Sequence, residues 1–224
     1  GTVKDLFEDY ELEGGVRIPT TINGSEYFLI FDDKKKRIDK RYAFYRRSQR
    51  ETQDFLPGSN ILPRRKSLTH IGVIQLRYPF DIFTSLRLSG TVRADRTVQL
   101  ATDRNTLDIP SLNEQRLGAK LEYVFDNTLD VALNLKNGTR YNVYAELVKR
   151  VQFDLIGSNA GFEFAEGFMT VLGLDARHYQ RLDKRSILAI RAAAATSFGS
   201  DLNLFFLGGV DNWLFPSTNE NIPL

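Results

Sequence analysis

The chain has no cysteine, a single methionine, a single tryptophan and only two histidines in 224 residues. Without thiols there is no disulfide framework, no cysteine-ligated zinc and no thiol nucleophile. His70 and His178 lie far apart in the sequence and neither opens a spaced ligand set, so a histidine metal centre has no starting point. A Ser-His-Asp hydrolase would need a serine and an acid brought to one of them, and nothing local nominates either. Phosphate-cradling glycine loops and HExxH helices are absent as well. Charge of one sign is missing too: 30 Lys and Arg stand against 28 Asp and Glu, for a net of +2. No global field therefore favours nucleic acid, and the run Lys34-Lys35-Lys36-Arg37 reads as a solvated turn. No window approaches the ~18 uninterrupted apolar residues of a membrane helix. That excludes a helical span and leaves a strand-built one open. The opening residues, GTVKDLFEDY, lack the basic start and apolar core of a signal peptide, so the expectation is a mature protein or an internal segment. No catalytic residue, cofactor or metal is expected.

What the sequence does have is alternation with period two, in segment after segment. In LRLSGTVRAD one face carries Leu86, Leu88, Gly90, Val92 and Ala94, and the other Arg87, Ser89, Thr91, Arg93 and Asp95. In AKLEYVFD, Ala119, Leu121, Tyr123 and Phe125 oppose Lys120, Glu122, Val124 and Asp126. Tyr141, Val143, Ala145 and Leu147 oppose Asn142, Tyr144 and Glu146 in the same way. Further strands are expected at about 10–18, 25–32, 40–48, 67–79, 168–180 and 186–198, giving roughly nine long strands in an antiparallel meander. SILAIRAAAATSFG, with four consecutive alanines, has helix propensity. Its faces, Leu188, Ile190, Ala192, Ala194 and Thr196 against Arg191 and Ser197, predict a strand instead. Asn23-Gly24, Pro57-Gly58-Ser59-Asn60 and Asn137-Gly138 supply turn chemistry between the runs.

Alternation by itself fits two environments. A soluble barrel turns its apolar face inward, whereas an outer-membrane barrel turns it outward. Strand length, the polar connectors at 49–66 and 101–113, and the charges on the non-apolar faces favour the membrane form. The aromatic groups Tyr42, Phe44, Tyr45 and Phe205, Phe206, Trp213, Phe215 then fit a barrel rim or an inward-packed loop better than a nucleic-acid stacking platform.

The stretch YVFDNTLDVALNLKNGTRYNVYAEL resembles a pattern of the Omp85 superfamily of outer-membrane barrels, in which a strand ends in Asp-Asn and a periplasmic turn reaches a glycine. The matching positions are Phe125, Asp126, Asn127 and Gly138, followed by Glu146. The family's usual turn prolines are replaced by LDVALNLK. FFLGG resembles the opening of that superfamily's inward-folding extracellular loop, with Gly208 and Gly209 starting it and Trp213 just beyond. The family loop reaches an Arg-Gly-Phe tip that does not occur before Leu224, so the expectation is a segment of a longer chain. YELEGGVRIPTTINGSEYFLIFDDKKKRIDKRYAFYRR, GFMTVLGLDARHYQR and LGGVDNWLFP also look like the barrel part of Bacteroidota surface-antigen proteins that carry a TolB-like β-propeller before the barrel.

The resemblance implies an all-β, antiparallel transmembrane barrel segment over residues 1–224, in the outer membrane of a diderm bacterium. It implies a non-enzymatic role in envelope biogenesis, protein insertion or translocation. The expected partners are outer-membrane lipid, a periplasmic domain and other envelope proteins, with no nucleic acid. Two alternatives stand beside it: a structural anchor for a periplasmic propeller, and a soluble lipocalin-like ligand-binding β-domain.

Overall fold

The computed structural model describes residues 1–18, 24–52, 64–100, 110–132, 135–156, 159–164, 167–183 and 186–199. Among them are twelve strands: β1 (Thr2–Lys4), β2 (Tyr10–Arg17), β3 (Gly24–Asp33), β4 (Asp39–Thr52), β5 (Arg64–Pro79), β6 (Thr84–Leu100), β7 (Leu112–Asp126), β8 (Leu129–Ala132), β9 (Leu135–Ile156), β10 (Asn159–Phe164), β11 (Met169–Arg181) and β12 (Ile187–Gly199). They form one large antiparallel meander in the order β1-β2-β3-β4-β5-β6-β7-β9-β11-β12, with β8 and β10 each pairing β9. The nine long strands expected from periodicity are all present, and the alanine-rich segment is β12. Three short ones were not expected: β1 and β8 carry too few residues to display a period, whereas the six residues of β10, NAGFEF, do alternate. The expectation of a barrel is met only as far as this sheet: among the described residues the order ends at β1 and β12, with no pairing between them.

Because consecutive long strands run antiparallel, alternate connectors fall at opposite ends of the sheet. One end has the connectors 5–9, 34–38, 80–83, 127–134 and 182–186; the other has 18–23, 53–63, 101–111 and 157–168. The first set is short and is organised by aspartates. Asp5 accepts the N–H of Leu6 (2.8 Å), Asp33 that of Lys35 (3.2 Å), and Asp81 those of Phe83 (2.6 Å) and Thr84 (2.7 Å). A short carboxylate that satisfies backbone donors one to three residues on is the local chemistry of a tight turn. These bonds hold the Asp81 carboxyl below the usual carboxylate range, the Phe83 N–H contributing most.

The residues group into two compact units. The first comprises Gly1–Tyr78, Ser89–Leu117 and Arg150–Ala165, the second Pro79–Leu88, Gly118–Lys149 and Glu166–Leu224. In the first, register sets Leu29 opposite Phe44, Phe31 opposite Tyr42, and Tyr42 opposite Ile74, which gathers the apolar side chains on one face. Asp32 lies opposite Arg41, and Arg41 opposite Gln75, on the other. In the second, Val143 faces Leu174, and Ala145 faces Leu172, on the apolar side. Glu146, Val171 and Ser197 form one row on the polar side.

Burial inverts the usual order. The large side chains of the apolar face are exposed, with Leu29 at 52%, Ile74 at 55%, Val92 at 56% and Leu147 at 51%. Asp32, Ser89, Glu122 and Glu146, on the polar face, are buried. Ala43, Val124, Val148 and Val171, which supply most of the buried apolar groups among the described residues, share that polar face.

Candidate functional site

The Asp-Asn and glycine positions singled out in the sequence meet in space. Asp126 ends β7, and its carboxylate accepts both the backbone N–H of Thr128 (3.1 Å) and its hydroxyl (2.6 Å). Asn127 grips Thr139 twice: its N–H donates to the Thr139 carbonyl (3.0 Å), and its Oδ1 accepts the Thr139 N–H (2.6 Å). Gly138 adopts φ +119°, and a Cβ there would lie 2.7 Å from the Asn127 carbonyl oxygen and 2.9 Å from its Oδ1. Positive φ and the lack of room both require glycine. The intervening LDVALNLK contributes β8, whose Leu129 and Asp130 pair with Asn137 and Lys136 at the start of β9.

Arg140 stands 3.6 Å from Asp126, and Lys136 forms an ion pair with Asp130 at 2.7 Å. Burial pushes the Asp126 carboxyl up, but the Thr128 hydrogen bonds and the charges of Arg140 and Lys136 outweigh it and leave the group below its ordinary value. The Asp126 N–H also donates to the Phe83 carbonyl at 2.8 Å, tying the β5–β6 turn to the β7–β9 turn. Gly208, Gly209 and Trp213 lie outside the described residues.

The polar face of the second unit carries a charge network. Arg140, Arg177 and Arg191 are successive cross-strand partners on β9, β11 and β12. Asp175 bridges two of them, with Arg177 and Arg191 each at 3.1 Å. Lys120 pairs with Glu122 at 3.0 Å and lies over the Tyr144 ring at 4.3 Å. The Tyr144 ring in turn covers Gly173, its cross-strand partner, where any Cβ would collide with it. The first unit repeats the device: Phe28 covers its partner Gly15. An aromatic ring laid over a facing glycine restores the contact that glycine lacks and bends or twists the sheet locally. Sequence reading missed these pairs, because register across strands decides them.

On the polar face of the first unit the charges are similarly matched. Arg41 makes a bidentate bond to Asp32 (2.7 and 2.9 Å), and Arg93 one to Asp95 (2.6 and 3.2 Å). Arg47 reaches Glu26 at 3.0 Å.

The two histidines are placed structurally: His70 Nε2 accepts from Arg46 Nε at 3.2 Å, and His178 Nδ1 lies 2.8 Å from the Thr139 hydroxyl. Among the described residues no three metal-ligating side chains come together. The apolar face of the second unit bears one shallow open concavity of about 550 Å³, floored by Leu121, Val143, Ala145, Leu172 and Ala194. It offers shape and hydrocarbon but almost no polar group to orient a ligand. Comparison with protein-family models, with curated proteins and with solved structures gives no match.

Proposed function

We propose that this chain is the barrel segment of a non-enzymatic outer-membrane protein of the Omp85-like type, acting in envelope biogenesis through insertion or translocation of other proteins. The observation that carries the membrane part is the inverted burial. A water-soluble sheet of this size hides its leucines and exposes its carboxylates, whereas here Glu146 and Asp32 are buried while Leu29, Ile74, Val92 and Leu147 are exposed. Bilayer hydrocarbon is the solvent that makes this arrangement favourable. A lipocalin-like reading needs the apolar face inside, and the exposures weigh against it.

Two further features support the proposal. Short turns at one end and longer connectors at the other are the asymmetry of outer-membrane barrels. In the second unit the apolar face is bounded by rings: Phe83, Tyr123, Phe125 and Tyr141 cluster toward the short-turn end, and Phe168 and Phe198 lie near the other. Such belts suit the headgroup level on each side of a membrane.

The insertion role rests on the resemblance of the Asp126–Gly138 turn and is tested directly. Liposomes carrying the full-length protein should fold a small unrelated outer-membrane barrel several-fold faster than protein-free liposomes. Equal rates would reject the insertion role while leaving the membrane placement standing.

A further inference from the structure

We infer that the apolar face of the first unit ends, toward the longer connectors, in a binding site for a phosphate-bearing lipid headgroup, built from Arg46, Arg50, Lys66 and Arg96. The inference rests on the reading of that face as lipid-facing. Register places the groups: Arg46 is the cross-strand partner of His70, and Arg50 that of Lys66, on the same side of β4 and β5 as Tyr42, Phe44 and Ile74. Thr69 donates to Asp95 at 2.7 Å on the polar side, so the adjacent Arg96 emerges from β6 on the apolar side, level with this group. Just beneath them Tyr27 and Phe44 pack with centroids 6.4 Å apart, and Arg46 lies over the Tyr27 ring at 5.3 Å. The order from hydrocarbon outward is therefore aliphatic, aromatic, cationic.

What points to an anion is the contrast between faces. On the polar face, Arg41, Arg47, Arg93 and Arg116 each have a carboxylate within 3.0 Å. On the apolar face, among the described residues, Arg46, Arg50, Lys66 and Arg96 have no ion-pair partner, and the acid that β3 places on that face, Asp33, sits at the opposite end beside Lys40. Two cations held directly opposite each other, as Arg50 and Lys66 are, repel. A phosphate between them reverses the sign, with the arginine forks supplying directed donors and the lysine a mobile point charge. Beside an aromatic belt the phosphate available at that depth is a headgroup.

The test uses the full-length protein. Co-flotation with phosphatidylcholine vesicles is read first, because it needs the apolar face alone; its loss fails the membrane reading. The protein is then placed in phosphatidylcholine nanodiscs with a minority of phosphatidic acid, and the lipid retained on the extracted protein is measured by native mass spectrometry. Phosphatidic acid should be enriched several-fold over its share of the bilayer. The enrichment should vanish in the double variant Arg50→Glu/Lys66→Glu, persist in Lys36→Glu at the other end, and weaken with added salt. Flotation without enrichment, or enrichment that survives the double variant, overturns the headgroup site alone. Binding of inorganic phosphate to the detergent-solubilised protein without lipid enrichment overturns it in favour of a soluble anion.

Discussion

Asn127 and Gly138 form the most constrained contact of the turn end, and a single methyl group tests it. Gly138→Ala adds a Cβ at φ +119° within 3.0 Å of three atoms of Asn127 and Thr128. Unfolding by urea in detergent should show a loss of about 1–3 kcal/mol. Gly90→Ala is the control, since a Cβ there meets nothing within 4 Å, and it should change stability by less than about 0.5 kcal/mol. Equal effects would mean that the Asn127 grip does not hold in solution. Asp126 and Asp81 make a second prediction. Their folded carboxyls lie below the ordinary aspartate value of 3.8, so the native state binds fewer protons than the unfolded chain. Their contribution is fully present above that value and is lost as pH falls through the folded pKa. The unfolding midpoint should thus drop below about pH 4. Asp126→Asn keeps an acceptor for Thr128 but removes the titration, so its profile should be flatter than that of the parent; parallel profiles would refute the assignment.

At the scale of the element, a strand's two faces should respond to charge in opposite ways. Leu172 of β11 sits on the apolar face opposite Ala145 and Thr196, while Ser197 of β12 shares the polar row of Val171 and Glu146. Leu172→Arg should cost about 2–4 kcal/mol at mid-membrane depth and reduce recovery of folded protein in lipid, read as retained heat-modifiability on gels. Ser197→Arg brings a cation toward the row of a buried carboxylate and should be tolerated. The reverse ranking would place the apolar face in water and the polar face in an interior. The same two-faced logic made β12 legible in the sequence despite its alanines, because Arg191 and Ser197 fall at one parity and Leu188 and Ile190 at the other. It failed for β1 and β8, which are too short to alternate, and it overlooked β10, whose NAGFEF does alternate; β8 surfaced instead within the segment where the family's turn prolines are missing.

For the whole molecule, the sequence carried the sheet and its antiparallel meander but not the register between strands. Faces such as Leu86, Leu88 and Val92 against Arg87, Ser89 and Thr91 are readable from one strand, since parity is a local property. The bridge from Asp175 to Arg191, the ring of Tyr144 over Gly173 and the opposed cations Arg50 and Lys66 depend on register between strands, which no single segment encodes. The turn site was the exception: Asp126, Asn127 and Gly138 were singled out by the resemblance of their stretch to a family pattern, and Gly138 also by Asn-Gly turn chemistry. Alternation also left open which face meets solvent, and burial of Glu122 and Glu146 against exposure of Val92 and Leu147 is what favours a bilayer.

The absence of cysteine makes the decisive measurement clean. Single cysteines at Leu88, Val143 and Leu172, and separately at Thr91, Asn142 and Ser197, each labelled with a fluorophore, are reconstituted into vesicles containing brominated phosphatidylcholine. Quenching of the first three labels and not of the second three is the expected result. Quenching of neither set, or of the polar-face set alone, would contradict a membrane-spanning sheet.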